Sequence, residues 1–291
     1  MSGPPLAEWP GWLLGSTAAL LGATVGSFLN VVIARVPAGQ SVVTPRSRCP
    51  GCGHEIAWYD NLPVLSWLLL RARCRGCHQP ISVRYPLVEL AGGAAGWLAL
   101  TRHGPTPAAL AEFTLVALLL TLAAIDLDTW LLPHRLTWPL IALGLLAAAL
   151  GLAPAPSLAS AALGAAIGFG GFALVSLVGE KLLRKEALGF GDVFLLGGLG
   201  AWLGAGALLP VVLLASLQGS VVGVALILVG RSQPGPDAPP PAAPAAGGEE
   251  APWVPPRHAL PFGPFLVAGA LEWLWLGDRL AALSPLFEVF R

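Results

Sequence analysis

The sequence predicts an all-α polytopic membrane protein, with about eight transmembrane helices and a small cytoplasmic insert holding four cysteines. Three observations lead there. The 291 residues are 55% hydrophobic and only 11% charged, with a mean hydropathy of +0.73; soluble domains carry roughly 25% charged residues. Apolar segments recur near 12–34, 86–101, 107–125, 136–152, 157–179, 193–208, 209–230 and 259–277, most of them close to the ~20 residues a bilayer crossing needs. With the N-terminus outside, 13 of the 16 Lys and Arg residues fall on the inner side, as basic residues do in cytoplasmic loops.

Each segment has its own justification. Residues 1–34 hold the first span. Met1 to Pro10 contains Glu8 but no Lys or Arg, and no small-residue cleavage site precedes Arg35, so the span is expected to be retained rather than removed as a signal peptide. Residues 35–85 are a polar insert with seven arginines on the inner side, Arg35, Arg46, Arg48, Arg71, Arg73, Arg75 and Arg84. Residues 86–230 are the main apolar bundle. Residues 231–258 are rich in Pro, Ala and Gly, a composition that reads as a disordered cytoplasmic linker. Residues 259–291 hold the last span and a tail, of which 278–291 is expected along the outer interface. Glycines four apart, Gly22/Gly26, Gly92/Gly96, Gly164/Gly168, Gly200/Gly204 and Gly219/Gly223, are expected to let helix backbones approach closely. A net charge of zero gives no reason to expect a nucleic-acid partner.

All four cysteines lie in the insert, as Cys49-Pro-Gly-Cys52 and Cys74-Arg-Gly-Cys77, with 21 residues between the knuckles. Paired knuckles at this separation match a four-cysteine zinc site of ribbon type. Gly51, Gly53 and Gly76 are expected to give the tight turns, and Arg73 and Arg75 to help stabilise the thiolates. The competing readings are two disulfides or four ordinary thiols; disulfides are rare in a reducing cytoplasm. Four protein ligands leave no position for water, so the zinc would be structural, with His54 and His78 as alternative ligands.

Two acidic motifs stand at the inner margins of apolar segments: Ala-Ile-Asp126-Leu-Asp128-Thr-Trp-Leu-Leu-Pro133 and Gly189-Phe-Gly191-Asp192. Carboxylates there are costly and mark function. Taken singly, Asp192 also reads as a helix N-cap, and Asp126 as a residue facing headgroups. As a pair on one membrane face they suit hydrolysis, in which one carboxylate activates water and the other donates a proton.

With these motifs in place, the chain resembles the type IV prepilin leader peptidases, membrane peptidases that are also N-methyltransferases. The resemblance rests on Gly26-Ser-Phe-Leu-Asn-Val-Val-Ile-Ala-Arg-Val-Pro37, the knuckles with Asn61-Leu-Pro-Val-Leu-Ser-Trp67 between them, Ile81-Ser-Val-Arg-Tyr-Pro-Leu-Val-Glu-Leu90, both aspartate motifs and Leu260-Pro-Phe-Gly-Pro-Phe-Leu266. It implies Asp126 and Asp192 as the catalytic pair, with Asp128 as a neighbour tuning the first. It also implies a bacterial inner-membrane location, cleavage of prepilins or pseudopilins after a Gly on the cytoplasmic side, and methylation of the new N-terminus with S-adenosylmethionine as donor.

Two positions depart from the family pattern. Phe194 stands where Lys usually follows the second aspartate, and His134 where Asp or Asn usually follows the Leu-Pro pair. The methyl-donor site is not legible, because the insert is too short for a dinucleotide-type sheet and has no GxGxxG. Glu89 reads either as a participant there or as an acid placed at a helix N-terminus, and Asn30 as a hydrogen-bonding partner for a neighbouring helix. Two other classes compete: a peptidase-degenerate anchor for a pilus or secretion assembly, and an ion-coupled transporter that would need Glu112 and Glu272 in a relay.

Overall fold

A computed structural model describes residues 10–183, 189–229 and 260–283. The predicted linker 231–258 and the end of the predicted interfacial tail, 284–291, lie outside the described residues.

Helices dominate. In order they are α1 (Gly11–Arg35), the short α2 (Leu65–Leu69), α3 (Arg84–His103), α4 (Pro107–Thr129), α5 (His134–Ala149), α6 (Leu158–Ala166), α7 (Phe172–Leu183), α8 (Phe190–Leu203), α9 (Ala205–Leu228) and α10 (Gly263–Leu283). A π-helical turn at Ile167–Gly171 joins α6 to α7. Each predicted apolar segment is matched by a helix or by this continuous run. Four of these are long and apolar enough to cross a bilayer: α1, α4, Leu158–Leu182 and α9. The count of eight is therefore met by helices but not by spans of that length and apolarity. α5 and α8 have only 16 and 14 residues. α3 carries Arg84, Glu89 and Arg102, and α10 carries Glu272, Asp278 and Arg279.

Local chemistry sets the boundaries. Pro107 opens α4, where a missing N–H costs nothing. The same helix stops at Trp130, whose left-handed backbone (φ 59°) lets its N–H reach the Asp126 carbonyl at 2.9 Å. Gly204, at φ +85°, breaks α8 from α9, a conformation that suits glycine.

The core lies between α4, α5, α8, α9 and α10, where Leu119, Leu140, Leu195, Leu199, Val211 and Leu266 are fully buried. Trp202 is buried with them, and its Nε1 donates to the Leu140 carbonyl at 2.8 Å. α1 and α3 form a second pair held against α4 by Leu29, Ile33, Ala117 and Ile125. Large apolar side chains such as Leu20, Leu174, Val175, Leu217 and Val221 stay exposed on α1, α7 and α9. On helices this apolar, that surface suits lipid rather than water.

Three of the five glycine pairs meet backbone at both members as expected, and in Gly200/Gly204 only Gly200 does, while Gly204 meets side chains. A Cβ on Gly22 would stand 2.3 Å from the Gly92 carbonyl oxygen, and one on Gly26 would stand 2.8 Å from Glu89 Cα. Gly164 and Gly168 bring α6 and the π-turn against α8, where added Cβ atoms would meet the Gly200 and Leu196 carbonyl oxygens at 2.4 and 2.3 Å. Gly219 and Gly223 meet only the side chains of Phe265 and Leu260, at ordinary contact distance. That pair does not mark a close backbone crossing.

Candidate active site

The C-terminal end of α4 and the N-terminal ends of α3, α5, α8 and α10 meet at one end of the bundle. Asp126 sits in the last turn of α4 and is 5% exposed. Its Oδ2 accepts the backbone N–H of Gly263, at the start of α10, at 3.0 Å. A Cβ on residue 263 would stand 2.5 Å from that oxygen, so glycine is what allows the approach. The stretch Leu260–Leu266 thereby acquires a role that its sequence does not reveal.

Asp192 lies in the first turn of α8, close enough to Asp126 for the two carboxyl groups to interact electrostatically. Its own motif positions it. Gly191 packs against the Leu132 side chain with no room for a Cβ (2.9 Å). Leu132 belongs to the α4–α5 connection, so the two aspartate motifs touch through Gly191 and Leu132.

Asp128 does not join the pair. It forms an ion pair with Arg84 of α3, and Arg84 Nη2 also donates to the Ala124 carbonyl at 2.9 Å. Arg84 thus binds one carbonyl near the C-terminal end of α4, where cations are favoured.

The two departures from the family pattern are in contact. The rings of His134 and Phe194 meet at a tilt of 60° with centroids 4.5 Å apart, and Trp138 and Phe169 close the cluster edge-on at 5.4 and 4.8 Å from Phe194. Where the family pattern has a cation and an acid or amide, α8 and α5 here present two rings to one another.

The knuckles fold as matching turns. Cys49 N–H donates to the His54 carbonyl and Gly53 N–H to Cys49; Cys74 N–H donates to Gln79 and His78 N–H to Cys74, all at 2.9–3.0 Å. Gly53 (φ +70°) and His78 (φ +58°) occupy equivalent left-handed positions. A Cβ on Gly51 would collide with the Gln79 side chain at 1.7 Å. All four Sγ atoms lie within 4.8 Å of one another, with Cys49 and Cys77 at 3.7 Å. Tetrahedral ligands at Zn–S distances of ~2.3 Å stand about 3.8 Å apart, so the donor set fits zinc.

The backbone N–H groups of Cys52 and Gly51 hold the Cys49 thiol down at about 6. Those of Cys77 and Gly76 lower Cys74. Gln79 N–H acts the same way on Cys77, but burial and the neighbouring sulfurs outweigh it and push that thiol up to about 11. Four sulfurs this close cannot all be anionic without a cation among them. Arg75 does not supply that charge. Arg75 is bound bidentate to Asp60 at 2.8 and 2.5 Å and lies over the Tyr59 ring, and its hydrogen bond holds the Asp60 carboxyl below the usual range. His54 and His78 are not part of the sulfur cluster.

Glu112 and Glu272 are tied into structure. Glu112, 3% exposed near the start of α4, meets His103 Nε2 at 2.6 Å, Arg102 Nε at 3.3 Å and Trp275 Nε1 at 3.1 Å. Gln218 donates to Glu272 at 2.7 Å. Asp126 lies fourteen residues along α4 from Glu112, roughly 21 Å at 1.5 Å per residue, so these acids make no continuous relay.

The prepilin leader peptidase/N-methyltransferase of Myxococcus xanthus (strain DK1622) is 46% identical, over 91% of this chain and 91% of its own. The chain belongs to the prepilin leader peptidase/N-methyltransferase family. Proteins of the same description from Burkholderia pseudomallei (strain 1026b) and Aeromonas hydrophila are 41% and 39% identical, over 89% and 94% of this chain and 84% and 95% of their own. The bacterial peptidase A24 N-terminal domain matches residues 20–103, and the type IV leader peptidase family matches residues 113–224. No solved structure matches the chain. The family boundary falls at the α3–α4 turn. The cysteine insert lies with α1 and α3 on one side of it, and both aspartates lie on the other. Gly263 falls beyond both matches, yet it touches Asp126.

Proposed function

We propose that this chain cleaves the basic leader from type IV prepilins or pseudopilins after Gly, and then N-methylates the new N-terminal residue. The observation that carries this reading is the approach of Asp126 and Asp192 from different helices, with Gly263 N–H fixing one of them. One carboxylate takes a proton from water, whose oxygen bonds to the scissile carbonyl carbon. The other carboxyl donates as the C–N bond breaks, and the amine leaves protonated. Gly263 N–H keeps the Asp126 carboxylate oriented through this exchange.

The placement of basic residues supports an inner-membrane protein with eight spans, an external N-terminus and the insert in the cytoplasm. The aspartate end of the bundle then faces the cytoplasm, where a basic leader would arrive. Zinc held by Cys49, Cys52, Cys74 and Cys77 would be structural, because four protein ligands close its shell. S-adenosylmethionine would supply the methyl group.

The test is mass spectrometry of a synthetic prepilin incubated with the purified protein, with and without S-adenosylmethionine. Wild type should remove the leader and add one methyl group only with the donor. Asp126→Asn and Asp192→Asn should leave the precursor intact. Cleavage by both variants would end this reading.

A further inference from the structure

The cysteine insert carries an apolar face that no described residue covers. In α2, Leu65, Leu68 and Leu69 share one side at i, i+3 and i+4, and they are 50, 58 and 72% exposed. Trp58, Tyr59 and Leu62, just ahead of the helix, are exposed as well. The rest of α2 is committed to the insert. Ser66 Oγ donates to the Tyr59 carbonyl and accepts from Leu62 N–H, and Trp67 Nε1 donates to the Ile81 carbonyl at 3.1 Å. Three leucines bared on five residues are costly in water and mark a contact surface.

Val64 fixes the level at which this face lies. Its N–H donates to Glu89 Oε2 at 2.7 Å. Glu89 belongs to α3 and stands opposite Gly26 of α1, where a Cβ on the glycine would meet Glu89 Cα at 2.8 Å. Gly26 is nine residues short of the end of α1 at Arg35, about 13.5 Å at 1.5 Å per residue. α1 is long and apolar enough to cross a bilayer. Its 25 residues exceed a ~30 Å hydrocarbon core by only about 4 Å at each end. The start of α2 thus reaches back alongside α1 and α3 to the level of acyl chains. Val64 holds this turn at φ +61°, a strained conformation for a β-branched residue.

The other end of α2 carries charge. Ala72 N–H donates to the Trp67 carbonyl at 2.8 Å and Arg71 N–H to the Leu68 carbonyl at 3.0 Å, the two bonds of a Schellman cap. The left-handed position where glycine is usual holds Arg71, at φ +51°. Arg71 and Arg73 are exposed and, among the described residues, form no ion pair, whereas Arg48, Arg75 and Arg84 are each matched to an acid. An apolar helix face bordered by unmatched arginines is the pattern of an element lying in a membrane interface, where such faces sink about 5–10 Å.

We propose that α2 lies in the bilayer interface, with Leu65, Leu68 and Leu69 among acyl chains and Arg71 and Arg73 on the phosphates of anionic phospholipids. The choice of the inner leaflet rests on the topology proposed above, whereas the contact itself rests on α1 as a span. The insert is then held to the membrane directly, and not only through the ends of α1 and α3.

The test uses the full-length, zinc-loaded protein in nanodiscs of phosphatidylcholine alone, or of phosphatidylcholine and phosphatidylglycerol at about 7:3, a ratio chosen to give a strongly anionic surface. Leu69→p-benzoylphenylalanine should crosslink on illumination to phospholipid, read as a mass adduct, as should Leu217→p-benzoylphenylalanine on the exposed face of α9. Amides in 65–73 should exchange roughly tenfold or more slowly in the anionic discs than in the neutral ones. Arg71→Gln with Arg73→Gln should abolish that difference while zinc content stays at the wild-type level. Absence of a lipid adduct at 69 beside a labelled Leu217 control, an adduct at 69 only to a second copy of the chain, or exchange that ignores lipid charge would overturn the proposal. Neither readout uses prepilin or S-adenosylmethionine, so its failure would leave the proposed cleavage and methylation standing.

Discussion

Gly263 N–H donates to Asp126 Oδ2 at 3.0 Å, in a space too small for any side chain at residue 263. The contact ties the start of α10 to the last turn of α4 and leaves the carboxylate one defined orientation. Gly263→Ala pushes a methyl group onto that oxygen. Losing a hydrogen bond to a charged group costs about 1.5–3 kcal/mol, so leader cleavage should slow roughly 10- to 100-fold. Single-turnover cleavage assays read this directly.

The two departures from the family pattern should behave as one. Phe194→Lys alone places an ammonium among His134, Trp138 and Phe169 and should lower thermal stability. Pairing it with His134→Asp restores opposite charges across the α5–α8 contact. A double-mutant cycle should give a coupling of about 0.5–3 kcal/mol. Strict additivity would mean that positions 134 and 194 are not coupled across the α5–α8 contact.

Much of this architecture was legible along the chain. Apolar runs fixed where helices form, because length and hydropathy are local properties. The glycine pairs pointed to close backbone crossings, and the knuckles to a sulfur cluster, since both depend on short spacings. Partners distant in sequence were not legible. Nothing near Asp126 says that a glycine 137 positions later supplies its N–H. Nothing in the spacing says that Arg75 folds over Asp60, so Arg75 reads from the sequence as a partner for the thiolates. His134 and Phe194 read as two independent departures because contact across helices leaves no periodic signal. The number of crossings is less legible than the number of helices, because an apolar run shows hydropathy but not where its helix breaks or which of its charges lie inside the helix.

The sulfur cluster predicts one zinc per chain. Elemental analysis of the purified protein should find it, and Cys49→Ser should lose it. Without the metal, the described residues of the insert have two isolated bridges, the Asp60–Arg75 and Arg48–Glu55 pairs and little buried apolar surface to hold their fold. Hydrogen exchange over residues 47–81 should therefore rise sharply in Cys49→Ser or after chelation, since structural zinc contributes its binding energy to folding. Exchange in the α4–α8–α10 core should change little, because its buried leucines do not depend on the insert.

Asp126 and Asp128 are two residues apart, yet they should respond very differently to the same substitution. Asp126→Asn removes a buried carboxylate held by Gly263 and should abolish cleavage. Asp128→Asn removes only the Arg84 ion pair, both of whose side chains are more than a third exposed. Pairs of that kind are worth about 0–1 kcal/mol, and Arg84 keeps its bond to the Ala124 carbonyl. Leader cleavage by Asp128→Asn should stay within about tenfold of wild type, on the same energy scale. If Asp128→Asn instead abolished cleavage with fold and zinc content intact, Asp128 would have to act on the substrate, and the assignment of Asp126 as the first member of the pair would fail.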